Sequence, residues 1–435
     1  MLSVVLNPII ISVILLCVLC LCRINVLLAL IISAVAGGLL GHIGINEIMN
    51  IFVSGMGDNA ETALSYILLG AFAVSMTHTG LAPILSLKIS NVIQSKKYLL
   101  IFILTGMAIL SQNLIPVHIA FIPILIPPLL AVMNKLKIDR RSVACALAFG
   151  LKAPYIVIPA GFGLIFQGLI ADNMVQNGLI TARSDIWKSI WVLGLGMLVG
   201  FLVSVFVTYS KPREYKDIVV EEVQTTDLTL HRSHYITLIA AVLTLVIQLW
   251  TGSLPLGALV GLSVIFGFRA IDHDKMDKLI NEGVGLMGYV AFVMLVAAGF
   301  ASVMKATGGI DALVNTIAPY MMSSKLIATA LMLFVGLFIT MGIGTSFGTI
   351  PILAVLYVPI FIKLGFSIPS AIIVLGAAAA LGDAGSPASD TTLGPTSGLN
   401  ADGQHNHIWD TCIPTFLHYN IPLILTALIS VVIFK

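Results

Sequence analysis

The chain has 435 residues, of which 58% are hydrophobic and only 10% are charged, against about 25% charged in an ordinary globular domain. A soluble protein of this length could not cover its surface with 22 basic and 20 acidic residues, so its solvent must be largely lipid. The formal net charge of +2 gives no strong attraction to a polyanion. Composition therefore excludes a soluble enzyme and a nucleic-acid-binding protein, and it predicts an all-α polytopic membrane protein.

Apolar runs follow one another along the whole chain. Because one bilayer crossing takes about 20 apolar residues, the sequence has room for about 10–14 membrane segments. One clearly polar stretch, residues 209–232, interrupts the series. This stretch predicts a solvated linker between two transmembrane halves, residues 1–208 and 233–435.

The two halves resemble each other at a constant shift of 228 residues, without a gap over roughly 54–160. The matches include residues with special backbone properties, such as Gly55 with Gly283 and Pro159 with Pro387. Self-similarity at a fixed offset is typical of a structural repeat.

The basic residues of equivalent loops indicate that the repeats are inverted. Loop 135–141 carries four basic residues, whereas its second-half counterpart keeps only Lys363; conversely, loop 269–278 is basic and its counterpart 41–50 has no lysine or arginine. Since cytoplasmic loops collect lysine and arginine, equivalent loops should lie on opposite sides of the membrane, with linker 209–232 in the cytoplasm. Inverted repeats around a mid-membrane site are the architecture of many secondary transporters.

Each half has a short polar turn between two apolar arms, at residues 110–118 and 340–349. Irregular backbone at membrane depth is tolerated where it is buried in protein or lines a cavity. We interpret both turns as the tips of re-entrant hairpins, with two full spans as the alternative. Their amide, hydroxyl and imidazole groups are candidate solute ligands: Ser111, Gln112, Asn113, His118, Thr345 and Ser346.

Each half also has a broken helix, at residues 150–161 and 382–398. Gly385 and Pro387 disfavour a continuous helix, and the freed carbonyls with nearby side chains offer hard oxygen ligands that suit Na+ rather than zinc. Carboxylates near the midplane are costly unless they bind a cation or a proton. A polar loop outside the bilayer is the alternative. The predicted Na+ or H+ site consists of Asp383, Ser386, Ser389 and Asp390, and Thr391 and Thr392 are added as solute ligands.

Lys152 lies about ten residues, or about 15 Å, into the helix that starts near Ser142, and so close to the predicted midplane. A bare ammonium is expensive there. Lys152 could neutralise Asp383 or Asp390, take the place of a second cation, or bind the carboxylate of a solute. Because a simple cation/proton antiporter needs no such lysine, Lys152 favours a carboxylate-bearing solute such as an amino acid.

Two further polar groups occur at the ends of apolar runs. The first is interpreted as a helix cap, with a vestibule as the alternative: Asp58, Asn59 and Glu61. The second is interpreted as a solvated cytoplasmic loop, with a metal site as the alternative: Asp402, His405, His407 and Asp410.

The run from Gly382 to Thr392 resembles the G-D-x-x-S-P-x-S-D-T-T signature of NhaC-type Na+/H+ antiporters, although Ala384 stands where that family commonly has lysine. The whole chain is similar to the YuiF-like branch, whose members are labelled antiporters by similarity and are proposed to carry amino acids. The paired hairpins and broken helices also resemble the wider ion transporter superfamily. This resemblance implies a homodimer with an elevator-like moving domain.

These features predict a secondary active transporter that couples a Na+ and/or H+ gradient to the movement of a small solute. Amino-acid transport is the preferred function and Na+/H+ antiport the alternative. An intramembrane aspartyl protease is disfavoured, because Ala380 replaces the first glycine of its G-x-G-D element and no Tyr-Asp partner occurs in another span. A Walker motif is also missing from the sequence, so primary pumping by this chain is not expected.

The predicted surroundings follow from this function. We expect no cofactor other than Na+ and/or H+ as the coupling ion. The expected partners are the lipid bilayer of a bacterial cytoplasmic (inner) membrane, the solute and a second copy of the chain, but no nucleic acid.

Overall fold

The structure is a computed structural model that describes residues 7–22, 24–79, 96–113, 122, 126–216, 231–309, 324–343, 345–387 and 389–434. Throughout these residues the regular structure is helical, and none of them lies in a β-strand. The prediction of an all-α protein is confirmed to that extent.

The helices of the first half are α1 (Pro8–Leu21), α2 (Val26–Leu40), α3 (Ile45–Met56), α4 (Ala60–His78), α5 (Lys97–Asn113), α6 (Leu130–Lys135), α7 (Arg140–Val157), α8 (Phe162–Gln176) and α9 (Arg183–Thr208). Those of the second half are α10 (Arg232–Thr251), α11 (Leu254–Gly267), α12 (Met276–Ala306), α13 (Lys325–Ile343), α14 (Ser346–Leu364), α15 (Ile368–Ala380), α16 (Asp390–Leu399) and α17 (His407–Ile433). The last turn of α9 and the first turns of α17 are π-helical.

Four of these helices, α9, α10, α14 and α17, are long and apolar enough to cross a membrane. Helices α7 and α8 together would make a fifth span, bent by 47° at the break between them. Shorter apolar segments of 10–17 residues lie in α2, α4, α5, α11, α12, α13 and α15. This architecture is that of a polytopic membrane protein, and α14 shows that the second arm of the second-half turn is long enough to be a full span.

Four pairs of helices begin 228 residues apart: α2 with α11, α5 with α13, α7 with α15, and α8 with α16. Local capping helps to explain two of the pairs. Asn25 and Ser253 cap α2 and α11 with their side chains, and Asp139 and Ser367 do the same for α7 and α15. An N-cap side chain satisfies a backbone N–H of the first turn and so favours the start of a helix at that position.

Glycine allows the backbone to leave each broken helix. Gly161, between α7 and α8, has φ +57°, and Gly382, after α15, has φ +82°, a region that other residues rarely adopt. A Cβ atom on Gly382 would also lie 2.7 Å from the carbonyl oxygen of Leu337 in α13. The second break is therefore both left-handed and tightly packed against α13.

The two broken helices lie side by side in the interior. Helix α7 packs against α5, α8, α9 and α16, and α15 packs against α9, α13, α14 and α17. Nearly every side chain of α7 from Arg140 to Ile156 is buried, including the charged Lys152. Polar groups at the two breaks are thereby removed from lipid.

In the loop after α16 the side chains of Asp402, His405 and Asp410 are buried, so the sequence-based interpretation of a solvated loop is wrong for these three residues, whereas His407 is partly exposed. Asp402 receives hydrogen bonds of 2.6 and 2.7 Å from Arg140, and the two side chains are 1% and 0% exposed. Burial raises the pKa of Asp402, but the hydrogen bonds and positive charge of Arg140, together with the hydrogen bonds from Gln404, outweigh it and hold the pKa below its ordinary value. Burial has the opposite effect on a histidine, and it lowers the pKa of His405 to about 4. The imidazole is therefore neutral near pH 7.

The start of the linker covers this loop, which is the physical reason for its burial. Gln404 accepts a hydrogen bond of 2.8 Å from the backbone N–H of Lys216 and donates one of 2.7 Å to the Lys216 carbonyl. Arg213 pairs with Asp410 at 2.8 Å. No group of three or more His, Cys, Asp or Glu side chains suited to a metal ion occurs in the described part of the chain. Residues 217–230 of the linker lie outside the described residues.

Candidate functional site

Asp383 lies in the break between α15 and α16, and hydroxyl groups surround its carboxylate. Its side chain is 5% exposed. Oδ2 accepts hydrogen bonds from the Tyr155 hydroxyl at 2.7 Å and from Ser346 Oγ at 2.9 Å. Oδ1 accepts one from Ser389 Oγ and a longer one, at 3.4 Å, from Thr391 Oγ1. The predicted residues Asp383, Ser346, Ser389 and Thr391 are therefore brought together.

This arrangement provides hard oxygen ligands around the carboxylate, and the buried Lys152 ammonium acts on it electrostatically without a direct contact. No lysine, arginine or histidine forms an ion pair with Asp383 within 4 Å among the described residues. A hydroxyl has two lone pairs and a rotatable proton, so it can donate to the carboxylate or turn its oxygen toward a cation. Carboxylate and hydroxyl oxygens are the chemistry for a small hard cation or a proton, and no softer ligand is present among these groups.

Lys152 reaches the second broken helix from the first. Its ammonium donates a hydrogen bond to the carbonyl oxygen of Ala380, the last residue of α15, and the side chain is fully buried. The last carbonyls of a helix have no partners within it and form the negative end of its dipole. Lys152 therefore lies where the C-terminal end of a half-helix attracts a cation.

The arms α5 and α13 hold the two broken helices at equivalent carbonyls. Gln112 Nε2 donates to the Leu151 carbonyl at 2.7 Å, and Thr340 Oγ1 lies 3.3 and 3.4 Å from the Ala378 and Ala379 carbonyls. Gln112 and Thr340, like Leu151 and Ala379, are related by the 228-residue shift. Gln112 Oε1 is buried without a hydrogen-bond partner, so this predicted ligand keeps a free acceptor.

Two other predicted residues donate their side-chain hydroxyls to backbone carbonyls, and the Ser386 N–H also donates to the Asp383 carbonyl at 3.4 Å. Thr392 Oγ1 donates to the Ser386 carbonyl at 2.5 Å or to the Ser389 carbonyl at 2.9 Å. Ser386 Oγ donates to the Met341 carbonyl at 3.3 Å, which ties the break to α13.

Two predicted residues of the polar turns make only local contacts. Ser111 Oγ donates to the Ala108 carbonyl of its own helix at 2.8 Å. Thr345 is the N-cap residue of α14 and its side chain makes no capping hydrogen bond.

The side chains of three predicted residues lie outside the described structure. Asp390 begins α16 and Asn113 ends α5, but in both cases only the backbone belongs to the described structure. His118 lies outside the described residues. Their roles stay predictions.

Tyr155 and Asn420 belong to the site and were missed from the sequence. Asn420, in a π-helical turn of α17, donates to the Ala384 carbonyl at 2.9 Å and accepts a hydrogen bond of 3.4 Å from the Gly382 N–H. Tyr155 could have been found, because the 228-residue shift aligns it with Asp383. No repeat or motif singles out Asn420.

Aromatic rings enclose the hydroxyl side of the site. The Tyr155 ring lies 5.0 Å from that of Phe347 and 5.2 Å from that of Phe166, measured between centroids. Phe347 also contacts the rings of Tyr66 and Phe162. A low-dielectric surrounding of this kind strengthens each interaction with the Asp383 carboxylate and raises the cost of leaving that charge uncompensated.

A sequence model of the Na+/H+ antiporter family matches residues 146–428, and a second model, of a Na+-H+ antiporter family, matches residues 7–93. The chain belongs to the Na+/H+ antiporter family. The resemblance inferred from the run after Gly382 is thereby confirmed.

Relatives from bacteria are similar to this chain over nearly their full length. The chain is 47% identical over 442 residues to YuiF of Bacillus subtilis (strain 168), which is named a putative amino acid transporter. The alignment covers 98% of this chain and 100% of YuiF. The chain is 46% identical over 439 residues to the uncharacterized membrane protein VP2115 of Vibrio parahaemolyticus, with 98% and 100% covered.

Two solved transporters share the fold at low sequence identity. The Alcanivorax borkumensis YdaH transporter matches with a TM-score of 0.60 at 16% identity, over 90% of this chain and 88% of that one. Neisseria gonorrhoeae MtrF, described as illuminating a class of antimetabolite efflux pumps, matches with a TM-score of 0.59 at 15% identity, over 90% and 85%. With the family match, these structures identify the protein as a membrane transporter and not an enzyme.

Proposed function

We propose that this transporter couples a gradient of Na+ or H+ to the movement of a small solute, and that Asp383 holds the coupling ion. The main support is that the buried Asp383 carboxylate accepts hydrogen bonds from hydroxyl groups of three helical elements and has no described ion pair. A charge buried in a membrane protein needs a compensating partner, and a bound cation or proton supplies it. The Na+/H+ antiporter family match supports the choice of these ions.

The preferred solute is an amino acid. Lys152 supports this choice, because its ammonium has three N–H donors and a single described acceptor, which leaves donors for a carboxylate. The name of YuiF, at 47% identity, points the same way. Na+/H+ exchange without an organic solute is the alternative, and the family name favours it.

The proposed architecture is a pair of inverted repeats, residues 1–208 and 233–435, joined by cytoplasmic linker 209–232. The equal spacing of helix starts supports the repeat. So do the contacts of Lys152 with Ala380 and of Tyr155 with Asp383, each between residues 228 apart. If a pseudo-two-fold axis relates the two repeats, a residue can contact its equivalent in the other repeat only close to that axis. The Lys152–Ala380 and Tyr155–Asp383 contacts would therefore both lie near the axis, at the two breaks.

Re-entrant hairpins, an elevator-like movement, a homodimer and a location in the bacterial cytoplasmic membrane complete the proposal. They follow from the resemblance to the ion transporter superfamily and from the charge of the loops. For the hairpins, the contacts of α5 with the first broken helix and of α13 with the second give support, and a full span at α14 remains the alternative.

The deciding experiment measures ion-dependent transport in proteoliposomes. Asp383→Asn should fold, elute as the wild type does and lose Na+- or H+-dependent flux, because the neutral amide cannot compensate a cation. Asp390→Asn tests the second predicted carboxylate in the same way. The matched control is Asp172→Asn, which alters an exposed acid on α8 and should leave flux unchanged. Full activity of Asp383→Asn would refute the assignment of the ion site.

A further inference from the structure

A cleft separate from the Asp383 site lies between α12 and the α3–α4 junction. It has a volume of about 460 Å³ and is lined by Asn50, Ile51, Ser54, Gly55, Asp58 and Ser302. The cleft is wide open to its surroundings, so a ligand would be held against the lining residues on one side and not enclosed. None of the lining residues has a described hydrogen bond to Asp383 or Lys152.

A narrow recess continues from this cleft to the C-terminal end of α8. It shares Asp58 and Ser302 with the cleft, and it adds Lys305 of α12 and amide side chains of α8 and its C-cap. Its volume of about 10 Å³ is at the lower limit of the space that can hold one water molecule. Cleft and recess thus form one depression with an acid at their junction and a lysine farther in.

The two charges face the same cavity but do not pair with each other. Asp58 has no described ion pair within 4 Å, and its carboxylate accepts no described hydrogen bond. Lys305 Nζ donates to the Gln176 carbonyl at 3.2 Å, and its ammonium has no described ion pair either. The Ser302 hydroxyl, which lines both cleft and recess, also has no described hydrogen bond. The exposed Asp58 and the partly buried Lys305 attract each other electrostatically, but no described contact within 4 Å joins them, so a ligand that carries both charges can bridge them.

We propose that this depression binds a small zwitterion with the chemistry of an α-amino acid. Asp58 accepts the ammonium group in the cleft, Lys305 donates to the carboxylate at the mouth of the recess, and the Ser302 hydroxyl donates to or accepts from either group.

The depression is a second site and not an extension of the first. Helix α8 begins next to the first break and ends at the recess, and its 15 residues span about 22 Å. On the proposed topology the C-terminal ends of α8 and α12 lie on the outer side of the membrane. There the depression would collect solute before it reaches the breaks. This last step rests on the proposed function, whereas binding to the depression does not.

The experiment follows the modification of a cysteine placed at the junction. Ser302→Cys protein, full length in detergent at constant Na+, is treated with N-ethylmaleimide, and the peptide that contains position 302 is quantified by mass spectrometry. L-alanine is the probe. Propionate and ethylamine, each with one of its two charges, are the matched controls. L-alanine should slow the modification at concentrations at which neither control does.

Point variants test which residues bind the L-alanine that protects position 302. In the Ser302→Cys background, Asp58→Asn and Lys305→Gln should each raise the protecting L-alanine concentration at least tenfold, while the exposed control Glu47→Gln should not. Lys152→Ala should keep the protection, since it alters only the central site. Protection that is lost in Lys152→Ala but kept in Asp58→Asn would overturn the inference, as would equal protection by propionate or ethylamine.

A second measurement avoids the cysteine altogether. Equilibrium dialysis with radiolabelled L-alanine should give one more bound molecule per chain in the wild type than in Asp58→Asn. The same number in both proteins, or no binding in either, would refute the second site. Dialysis requires no transport, so a protein that fails the flux assay of the proposed function can still bind L-alanine in the depression. Equally, a protein that passes the flux assay can fail to bind it there.

Discussion

The Tyr155 hydroxyl donates a 2.7 Å hydrogen bond to Asp383, and 228 residues separate the two. They therefore occupy equivalent positions of the two broken helices, one with a phenol and the other with a carboxylate. The first half supplies a donor to the charge of the second half, and it has no acid of its own in its break. This asymmetry predicts one coupling-ion site at the pair of breaks and not two.

Tyr155→Phe should weaken Na+ binding without unfolding the protein. The variant removes a hydroxyl oxygen that can turn toward the cation, and if that contact is worth as much as a hydrogen bond to a charged group, about 1.5–3 kcal/mol, the Na+ concentration for half-maximal transport rises roughly 10- to 100-fold. Tyr419→Phe is the control, because that buried hydroxyl donates to the Cys145 carbonyl at 2.5 Å, away from Asp383. Equal Na+ dependence in Tyr155→Phe and the wild type would show that the phenol does not act on the ion site.

Lys152→Ala separates the two proposed solutes. If Lys152 binds the carboxylate of an amino acid, its loss removes one partner of a desolvated charge pair, at about 2–5 kcal/mol. Amino-acid affinity should then fall by roughly 30-fold to several thousand-fold, while Na+ binding at Asp383 persists. The measurement is amino-acid-stimulated Na+ uptake, with Lys188→Ala, an exposed lysine of α9, as the control. Na+/H+ exchange without an amino-acid response in any of these proteins would leave the antiporter alternative standing.

Inverted topology predicts which loops a membrane-impermeant thiol reagent can reach. Lys137→Cys and Asp277→Cys should react only from the cytoplasm, and Gly44→Cys and Lys363→Cys only from outside, because these exposed positions lie in loops of opposite basic content or at the helix ends next to them. Permeabilised cells provide the control in which all four react. Reaction of positions 137 and 363 from the same side would rule out the inverted repeat.

Arg140→Ala should destabilise the protein strongly. Asp402 would be left as a buried charge without its partner, and breaking such a pair costs about 3–5 kcal/mol. Thermal unfolding in detergent should show a marked decrease in the apparent Tm. Lys137→Ala breaks only the exposed pair with Glu214, so it should leave the Tm unchanged. Similar shifts in the two variants would mean that the Arg140–Asp402 pair has no special weight.

The local features of this protein could be predicted from its sequence. Hydrophobic composition identifies the membrane as solvent. Glycines and prolines mark the breaks, and side chains such as Asn25 and Ser253 cap helices at equivalent positions. Each of these effects acts between residues close in the chain, and so it can be read without a fold. The importance of Asp383 was predicted in the same way, from the glycines and hydroxyl residues next to it.

Only the tertiary structure decided which groups meet. Tyr155 and Asn420 reach the second break because α7 and α17 pack against it, and neither contact has a signal in the residues beside Asp383. Asp402 looked solvated because its neighbours are polar, yet Arg140 and the start of the linker bury it. The physical reason is the same in each case. A buried polar group must be satisfied, and its partner comes from whichever helix packs against it, at a distance along the chain that composition and local pattern do not encode.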